Sequence, residues 1–127
     1  MPNQSSKVIT EKVLNYFKSI APDCVTVSAF EHHGGEPYIT PIDSHEYQSA
    51  AKAIATTFGK EPIPVRGGGS IPICSLFEQE LGLKIVFMGF GLDSDNLHSP
   101  NEKYDIVNLY KGIETIPYFH QFFAEKK

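Results

Sequence analysis

The stretch that decides the predicted fold begins with Arg66-Gly67-Gly68-Gly69-Ser70-Ile71-Pro72 and ends with His98-Ser99-Pro100-Asn101-Glu102. Between these polar motifs, residues 73–81 carry a helical apolar pattern, and residues 85–88 form a dense apolar run typical of a buried strand. Loops that follow such strands lie at one edge of a sheet, where sites form in α/β proteins. We therefore expect a functional site built from these two loops.

Working outward from this stretch, helices and strands alternate along the chain. Gly and Pro punctuation separates the segments, and Asp43 or Ser44 and Gly59 are expected to begin and end the second helix. This alternation predicts an α/β fold, a layered sheet with flanking helices. The predicted helices cover residues 6–19, 44–58, 70–81 and 99–124, and the predicted strands cover residues 25–30, 63–65 and 83–89.

The last helix is expected to start within the second motif. Ser99 has the character of an N-cap, and Glu102 can reach back to it as in a capping box. Pro117 is expected to kink the helix, because proline removes a backbone donor. The apolar periodicity predicts a buried face made of Ile106, Leu109, Tyr110, Ile113, Ile116, Phe119, Phe122 and Phe123.

Composition limits the classes of function. The 127 residues are enough for a domain with a core, and a formal net charge of −4 argues against a nucleic-acid or membrane partner. No stretch approaches the roughly 20 apolar residues of a membrane-spanning helix. Cys24 and Cys74 lie in apolar surroundings, which favours buried, reduced thiols over a disulfide and predicts a cytoplasmic protein.

His98 has two interpretations from local pattern alone. The capping motif explains its neighbours but does not explain a histidine just before the cap. A neutral imidazole there could bind a metal or act in catalysis, with Asp93 and Asp95 as nearby hydrogen-bond acceptors. The alternative is that His98 is neither a ligand nor a catalytic residue.

The glycine run also has two interpretations. Glycines before a helix let backbone N–H groups approach an anion, and Arg66 could pair with a carboxylate in a bidentate manner. The alternative is a tight turn that needs the conformational freedom of glycine. A free-standing anion-binding domain built on this run is a further possibility, although the run lacks the Lys-Ser/Thr ending of a P-loop.

A third motif, His32-His33-Gly34-Gly35, follows the first predicted strand. Adjacent residues of a strand point to opposite faces, so the two imidazoles make a poor metal pair. One exposed histidine and one facing a site is the functional interpretation.

Together these motifs carry a family resemblance. Residues 65–72, the spacing to residues 98–103 and the run His33-Gly34-Gly35-Glu36-Pro37 resemble the C-terminal part of metallopeptidase family twenty. That family includes carnosinase-like dipeptidases, aminoacylases, acetylornithine deacetylase and succinyl-diaminopimelate desuccinylase. The Pro2-Asn3-Gln4 start and the helix after it are similar to the carnosinase-like branch.

The resemblance implies a division of the chain. Residues 1–36 would be the last helix and strand of a ferredoxin-like lid and dimerisation domain, and residues 37–127 would be the C-terminal segment of a zinc-peptidase catalytic domain. The family implies two zinc ions in the complete enzyme, a homo-oligomer, and a small peptide or N-acyl amino acid as substrate. Neither nucleic acid nor membrane is an expected partner.

The resemblance also assigns roles residue by residue. His98 would be a zinc ligand, and His33 would be a catalytic residue that stabilises the tetrahedral intermediate. Gly69 and Ser70 would bind the carboxylate end of the substrate, with Arg66 near this substrate site.

Several family features are absent from this sequence. The His-x-Asp ligand motif, the bridging aspartate and the paired glutamates that supply the general base are missing. Catalytic zinc uses about three protein ligands, so the chain is predicted to be inactive alone. The alternative is a non-catalytic binding or assembly module derived from the same fold.

Overall fold

The computed structural model describes residues 3–67 and 71–125. None of their helices is long and apolar enough to cross a membrane. The helices are α1 (Ser6–Ser19), α2 (His45–Phe58), α3 (Ile73–Leu81) and α4 (Ile106–Ala124), with a short 3-10 helix at Asp93–Asp95.

The chain divides into two compact units. The first lies within Met1–Ile39 and Gly67–Leu83 and contains α1 and α3. The second lies within Thr40–Arg66 and Lys84–Lys127 and contains α2, the 3-10 helix and α4.

In the first unit, α1 is capped by a residue distant in sequence. The predicted start at Ser6 is confirmed to within one residue, but the N-cap is Ser5 and its side chain makes no capping hydrogen bond. Instead, the backbone N–H and the hydroxyl of Ser6 donate to Oε1 of Glu36 at 3.1 and 2.8 Å. A carboxylate at this end also complements the helix dipole.

The third helix ends at the predicted residue but starts later than predicted. Gly82 ends α3 in the left-handed region with φ 64°, and its N–H donates to the Glu78 carbonyl at 3.0 Å. The helix begins at Ile73 rather than at Ser70, which itself lies outside the described residues.

In the second unit, α2 follows its sequence signals at both ends. Ser44 is the N-cap, and its hydroxyl accepts a hydrogen bond from the Tyr47 N–H at 3.2 Å. Gly59 ends the helix with φ 70°, and its N–H donates to the Ala55 carbonyl at 2.9 Å. Both predicted boundaries are confirmed.

Helices α2 and α4 pack against each other in antiparallel orientation. His45, in the first turn of α2, is bonded through Nε2 to the Phe123 carbonyl near the end of α4 at 2.9 Å. Thr57, in the last turn of α2, shares a 2.7 Å hydroxyl–hydroxyl hydrogen bond with Thr115. The buried residues of the two helices, which we call the seam, are all small: Ser49, Ala50 and Ala53 of α2, and Gly112 and Thr115 of α4.

The predicted start of α4 at Ser99 is wrong. The helix begins at Ile106, and its N-cap is Asp105, whose carboxylate accepts from the Asn108 N–H at 3.0 Å. His98 and Asn101 adopt left-handed backbone conformations, with φ 60° and 63°, and a right-handed helix cannot run through them. The Ser99–Glu102 capping box therefore does not form.

The predicted buried face of α4 is also wrong. Ile106 and Tyr110 are 67% and 68% exposed, whereas Gly112 and Thr115 are buried. Close approach favours small residues: a Cβ on Gly112 would lie 2.8 Å from Cδ2 of Phe90. Pro117 lies inside the helix, as the sequence indicated.

The described residues contain no β-strand, including the three predicted segments 25–30, 63–65 and 83–89. A strand requires a neighbouring segment that exchanges backbone hydrogen bonds with it. A side chain takes part in anchoring the third of these segments, since the Thr40 hydroxyl donates to the Ile85 carbonyl at 2.7 Å.

Both cysteines are free thiols. Cys74 is buried in α3, as predicted, but Cys24 is exposed, so the prediction of burial is wrong for Cys24. Cys24 lies in a turn outside the helices of the first unit.

Candidate functional site

His98 lies on an exposed turn of the second unit, between the 3-10 helix and α4. Its φ of 60° places it in the left-handed region, where histidine is more frequent than most residues but still uncommon. The turn is closed by the Ser99 N–H, which donates to the Asn96 carbonyl at 3.0 Å. This geometry presents the imidazole on a loop outside any helix.

Asp95 anchors the beginning of this loop. It is 0% exposed, and its Oδ2 accepts from the Leu92 N–H at 2.8 Å while its Oδ1 accepts from Lys103 Nζ at 3.2 Å. The Leu92 hydrogen bond is the main reason that the pKa of the Asp95 carboxyl is lowered from its usual value, and Lys103 adds to the effect. Burial acts in the opposite direction and is outweighed.

These contacts change the expected role of Asp95. The sequence suggested it as an acceptor for the His98 ring, yet its carboxylate oxygens bind Leu92 and Lys103. Asp95 therefore acts on the backbone that carries His98.

His33 lies in the first unit and is exposed. Its ring is 6.3 Å from that of His32, at an interplanar angle of 79°. The segment after it is held tightly: a Cβ on Gly35 would collide with the ring of Pro72 and lie 3.0 Å from its Cα. A Cβ on Gly34 would lie 3.0 Å from the Ser6 Cβ. Glycine is needed at Gly35 because of this close approach.

The structure therefore brings two of the three motifs together within one unit. Gly35 of the histidine motif contacts Pro72 at the end of the glycine run. Gly69 and Ser70, the predicted substrate-binding residues of that run, lie outside the described residues. Arg66 is exposed and belongs to the second unit, as does His98.

The described residues do not fit a complete metal centre. Residues 3–67 and 71–125 contain no group of three or more His, Cys, Asp or Glu side chains that could hold a metal ion. A zinc site normally needs about three or four protein ligands. The exposed imidazole of His98 can supply one of them.

Sequence reasoning missed two supporting residues. Glu36 follows the histidine motif and caps α1, and Lys103 follows the second motif and reaches back to Asp95. Both residues lie inside the runs that carry the family resemblance, residues 33–37 and 98–103, which is a signal that could have been used. Their partners are 30 and 8 residues away, so pairing them required the fold.

An open cavity of about 500 Å³ lies in the second unit. Its lining combines two lysines with stacked aromatic rings, since Phe58 and Phe90 are 6.0 Å apart and nearly parallel at 5°. None of the predicted site residues lines this cavity. The lining residues are Ile54, Phe58, Lys60, Glu61, Pro62, Gly89, Phe90 and Lys111.

Comparison with known families identifies the class of protein. Residues 5–120 match Peptidase family M20/M25/M40. Because the match covers most of the chain, the protein belongs to this family, and the resemblance inferred from the three motifs is confirmed.

Dipeptidases are among its relatives. The chain is 34% identical to Cys-Gly metallodipeptidase dug1 of Schizosaccharomyces pombe, over 95% of this chain and 26% of that protein. It is 38% identical to the human Beta-Ala-His dipeptidase, over 72% of this chain and 18% of that protein. The chain thus spans about a quarter or less of the curated relatives that it matches.

The structural comparison agrees. The crystal structure of human carnosine dipeptidase 1 superposes with a TM-score of 0.83 at 26% identity, over 99% of this chain and 27% of that one. The di-peptidase Dug1p from Saccharomyces cerevisiae superposes with a TM-score of 0.68 at 32% identity, over 72% of this chain and 19% of that one. The structure is therefore that of part of a dipeptidase fold.

Proposed function

We propose that this chain is a portion of a zinc-dependent metallopeptidase that hydrolyses dipeptides or N-acyl amino acids. The observation that carries the proposal is the family match over residues 5–120, joined to the likeness to a carnosine dipeptidase over 99% of the chain. The dipeptide class follows the names of the relatives, a Cys-Gly metallodipeptidase and a Beta-Ala-His dipeptidase, whereas the N-acyl amino acid class comes from the family resemblance of the motifs.

Within that enzyme, His98 contributes one metal ligand from its exposed turn. The metal, when bound, supplies an activated water and polarises the scissile carbonyl. Arg66 is exposed and can pair with a substrate carboxylate in a bidentate manner, and Gly69 and Ser70 bind the same end. His33 stabilises negative charge on the reacting oxygen by donating a hydrogen bond.

The chain alone is proposed to be inactive. One imidazole leaves a zinc ion short of ligands, since the described residues hold no group of three or more side chains that could bind a metal. The paired glutamates that the family resemblance leads one to expect as the general base are missing from this sequence. The remaining ligands and the layered sheet come from another part of the catalytic domain. In this proposal, residues 1–36 end the lid domain and residues 37–127 close the catalytic domain of a cytoplasmic homo-oligomer.

Complementation tests the enzymatic proposal. The chain is co-expressed with the part of Schizosaccharomyces pombe dug1 that lies outside the match, and zinc-dependent hydrolysis of Cys-Gly is measured. We expect activity only in the mixture, abolished by His98→Ala. His120→Ala is the matched control, because His120 is an exposed imidazole on α4 outside the motifs. Activity unaffected by His98→Ala would contradict the assignment.

His33 is tested in the same system. His33→Ala should lower kcat by about 100-fold or more, as removal of an oxyanion donor does. Its neighbour His32 is equally exposed, so His32→Ala is the control and should retain activity. Equal losses in the two variants would indicate a structural role for the pair.

A non-catalytic assembly module is the second candidate. The exposed apolar side chains of α1 and α4, including Phe17, Ile106 and Tyr110, favour it because such surface promotes association. Sedimentation velocity on the chain alone and the complementation assay together separate the candidates. A defined oligomer with no gain of activity on complementation would favour the module, whereas a chain that gains activity with its complement would favour the enzyme.

A further inference from the structure

The loop that carries His98 is closed at its base by a pair of residues. The Lys103 N–H donates to the Asp95 carbonyl at 2.9 Å, and Lys103 Nζ donates to Asp95 Oδ1 at 3.2 Å. Backbone and side chain thus join the same two residues, which we name the Asp95–Lys103 clasp. Residues 96–102 form the loop between them.

The clasp is itself fixed to the preceding chain. The second carboxylate oxygen of Asp95 accepts from the Leu92 N–H at 2.8 Å, and the Asp95 N–H donates to the Leu92 carbonyl at 2.9 Å. The Asp95 side chain is 1% exposed, whereas that of Lys103 is 57% exposed. The carboxylate therefore has fixed protein donors in place of water.

The loop needs such restraint because of its backbone. Asn96, His98 and Asn101 all have positive φ, at 55°, 60° and 63°. Residues with a Cβ adopt this region rarely, and a chain released from its anchors leaves it. The direction of the His98 side chain depends on this backbone, since φ and ψ set where its Cβ points.

We propose that Asp95 and Lys103 are positioning residues that hold the 96–102 loop in its left-handed conformation and thereby fix the orientation of the His98 imidazole. The inference rests on the proposed function for the use of that imidazole. It does not require a ligand for its geometry, since every contact lies within this chain.

An ordinary surface ion pair would not have this effect. Pairs between two exposed side chains contribute little, because water replaces either partner. Here one partner is buried, so loss of Lys103 leaves a carboxylate with one donor fewer and no access to solvent. Lys52 and Glu125, with side chains 58% and 52% exposed, form a pair of the first kind in the same unit.

The test uses NMR on the 127-residue chain with Lys103→Met. The readouts are the HN–Hα coupling and the Cα and Cβ shifts of His98, together with exchange of the Lys103 amide. We expect the His98 signals to move from left-handed towards coil values and the Lys103 amide to exchange about tenfold faster, as local opening becomes easier. Lys103→Arg should restore both.

Controls separate this effect from general destabilisation. Lys52→Met removes the exposed ion pair of the same unit and should leave the His98 signals unchanged. Amides of α2 and α4 report whether the unit stays folded. If Lys103→Met unfolds the unit, Asp95→Asn is the second variant, because its amide oxygen can still accept from Leu92 while the charge is removed.

Each outcome bears on one proposal. Unchanged His98 signals in Lys103→Met, or failure of Lys103→Arg to restore them, would overturn the positioning role and leave the enzymatic proposal intact. If Lys103→Met loosens the loop but His98→Ala keeps full activity in the complemented enzyme, the two proposals separate. The positioning of His98 would then be supported and the enzymatic proposal overturned. If Lys103→Met loosens the loop and lowers the zinc affinity of the complemented enzyme about tenfold, both proposals are supported. Such a loss is typical when a residue that orients a metal ligand is removed.

Discussion

Helices α1 and α2 are each 14 residues long, yet they differ in whether any of their residues is buried. No residue of α1 is buried, whereas α2 buries Ser49, Ala50 and Ala53. Among the described elements, only α2 and α4 pack against each other. The comparison teaches that local signals are enough to form a helix, while its burial depends on a partner with a matching surface.

Side-chain size explains which helix gains a partner within this chain. Ala50 and Ala53 are buried on α2, and α4 meets α2 at Thr115, whose hydroxyl shares a hydrogen bond with Thr57. Helix α1 instead carries large apolar side chains, and Phe17 is 53% exposed. Such a stripe needs a broad apolar surface opposite it, and no described helix packs against α1.

The largest expected loss of stability comes from a substitution inside the α2–α4 seam. Ala53 is 0% exposed, so Ala53→Leu must force the helices apart and should destabilise the second unit by about 1–3 kcal/mol. Asn15→Leu places the same side chain on an exposed position of α1 and should change stability by less than about 0.5 kcal/mol. Urea denaturation followed by circular dichroism measures both. Equal losses would mean that α1 is as closely packed as α2.

A smaller effect is expected from the polar contact inside the seam. Thr115→Val keeps the shape but removes two 2.7 Å hydrogen bonds, one shared with the Thr57 hydroxyl and one donated to the Lys111 carbonyl of its own helix. Loss of the Thr57 bond should cost about 1 kcal/mol. Thr56→Val is the control, because the exposed Thr56 hydroxyl bonds only its own helix at the Lys52 carbonyl. The difference between the two denaturation midpoints is the measured quantity, and no difference would show that the seam does not need this bond.

Acid should loosen the 96–102 loop before it affects the seam. The pKa of Asp95 is lowered in the folded chain, so its contribution is fully present above the unfolded value near 3.8 and is lost as pH falls through the lower folded value. The buried seam residues of α2 and α4 carry no ionisable side chain. Amide exchange at Lys103 should therefore rise below about pH 4 while Ala53 stays protected, once the intrinsic pH dependence is corrected. Simultaneous loss would contradict this order.

The smallest effect on stability is expected from the exposed contacts between α2 and the end of α4. Lys52 pairs with Glu125 at 3.2 Å and lies 3.9 Å from the centroid of the Phe122 ring, linking α2 to α4 outside the seam. Both charged side chains are more than half exposed, so Lys52→Met should cost less than about 0.5 kcal/mol. The loss should shrink further in 1 M salt, where the Debye length is about 3 Å. A larger, salt-independent loss would show that the ring contact dominates.

The helices were predictable where their boundaries are encoded locally. Ser44, Gly59 and Gly82 each act through their own backbone or hydroxyl on residues within one turn. The sequence predicted the ends of α2 and α3 at residues 58 and 81, and it offered Ser44 as one of two candidate caps beside Asp43. The start of α4 was not, because a left-handed His98 and Asn101 override a capping pattern at Ser99 that looks complete. Positive φ at a residue with a side chain leaves no reliable mark in the sequence.

The candidate site likewise has features that the sequence predicted and features that it did not. His98, His33 and Arg66 were named from their motifs, since the chemistry of a site depends on residue type. The closeness of Gly35 to Pro72 and the burial of Asp95 were not predicted, because both depend on which distant segments meet. The roles of the named residues stay predictions, which the complementation experiments test.

The sequence by itself determined the family, the existence and most ends of the helices, and the residues that can do chemistry. These follow from local capping, from helical periodicity and from motif spacing. Only the tertiary structure decided that α4 buries Gly112 and Thr115 rather than its large apolar residues, and that Asp95 and Lys103 close the loop of His98. The physical reason is that burial and ion pairing are properties of two surfaces in contact, and one segment of sequence specifies only one of them.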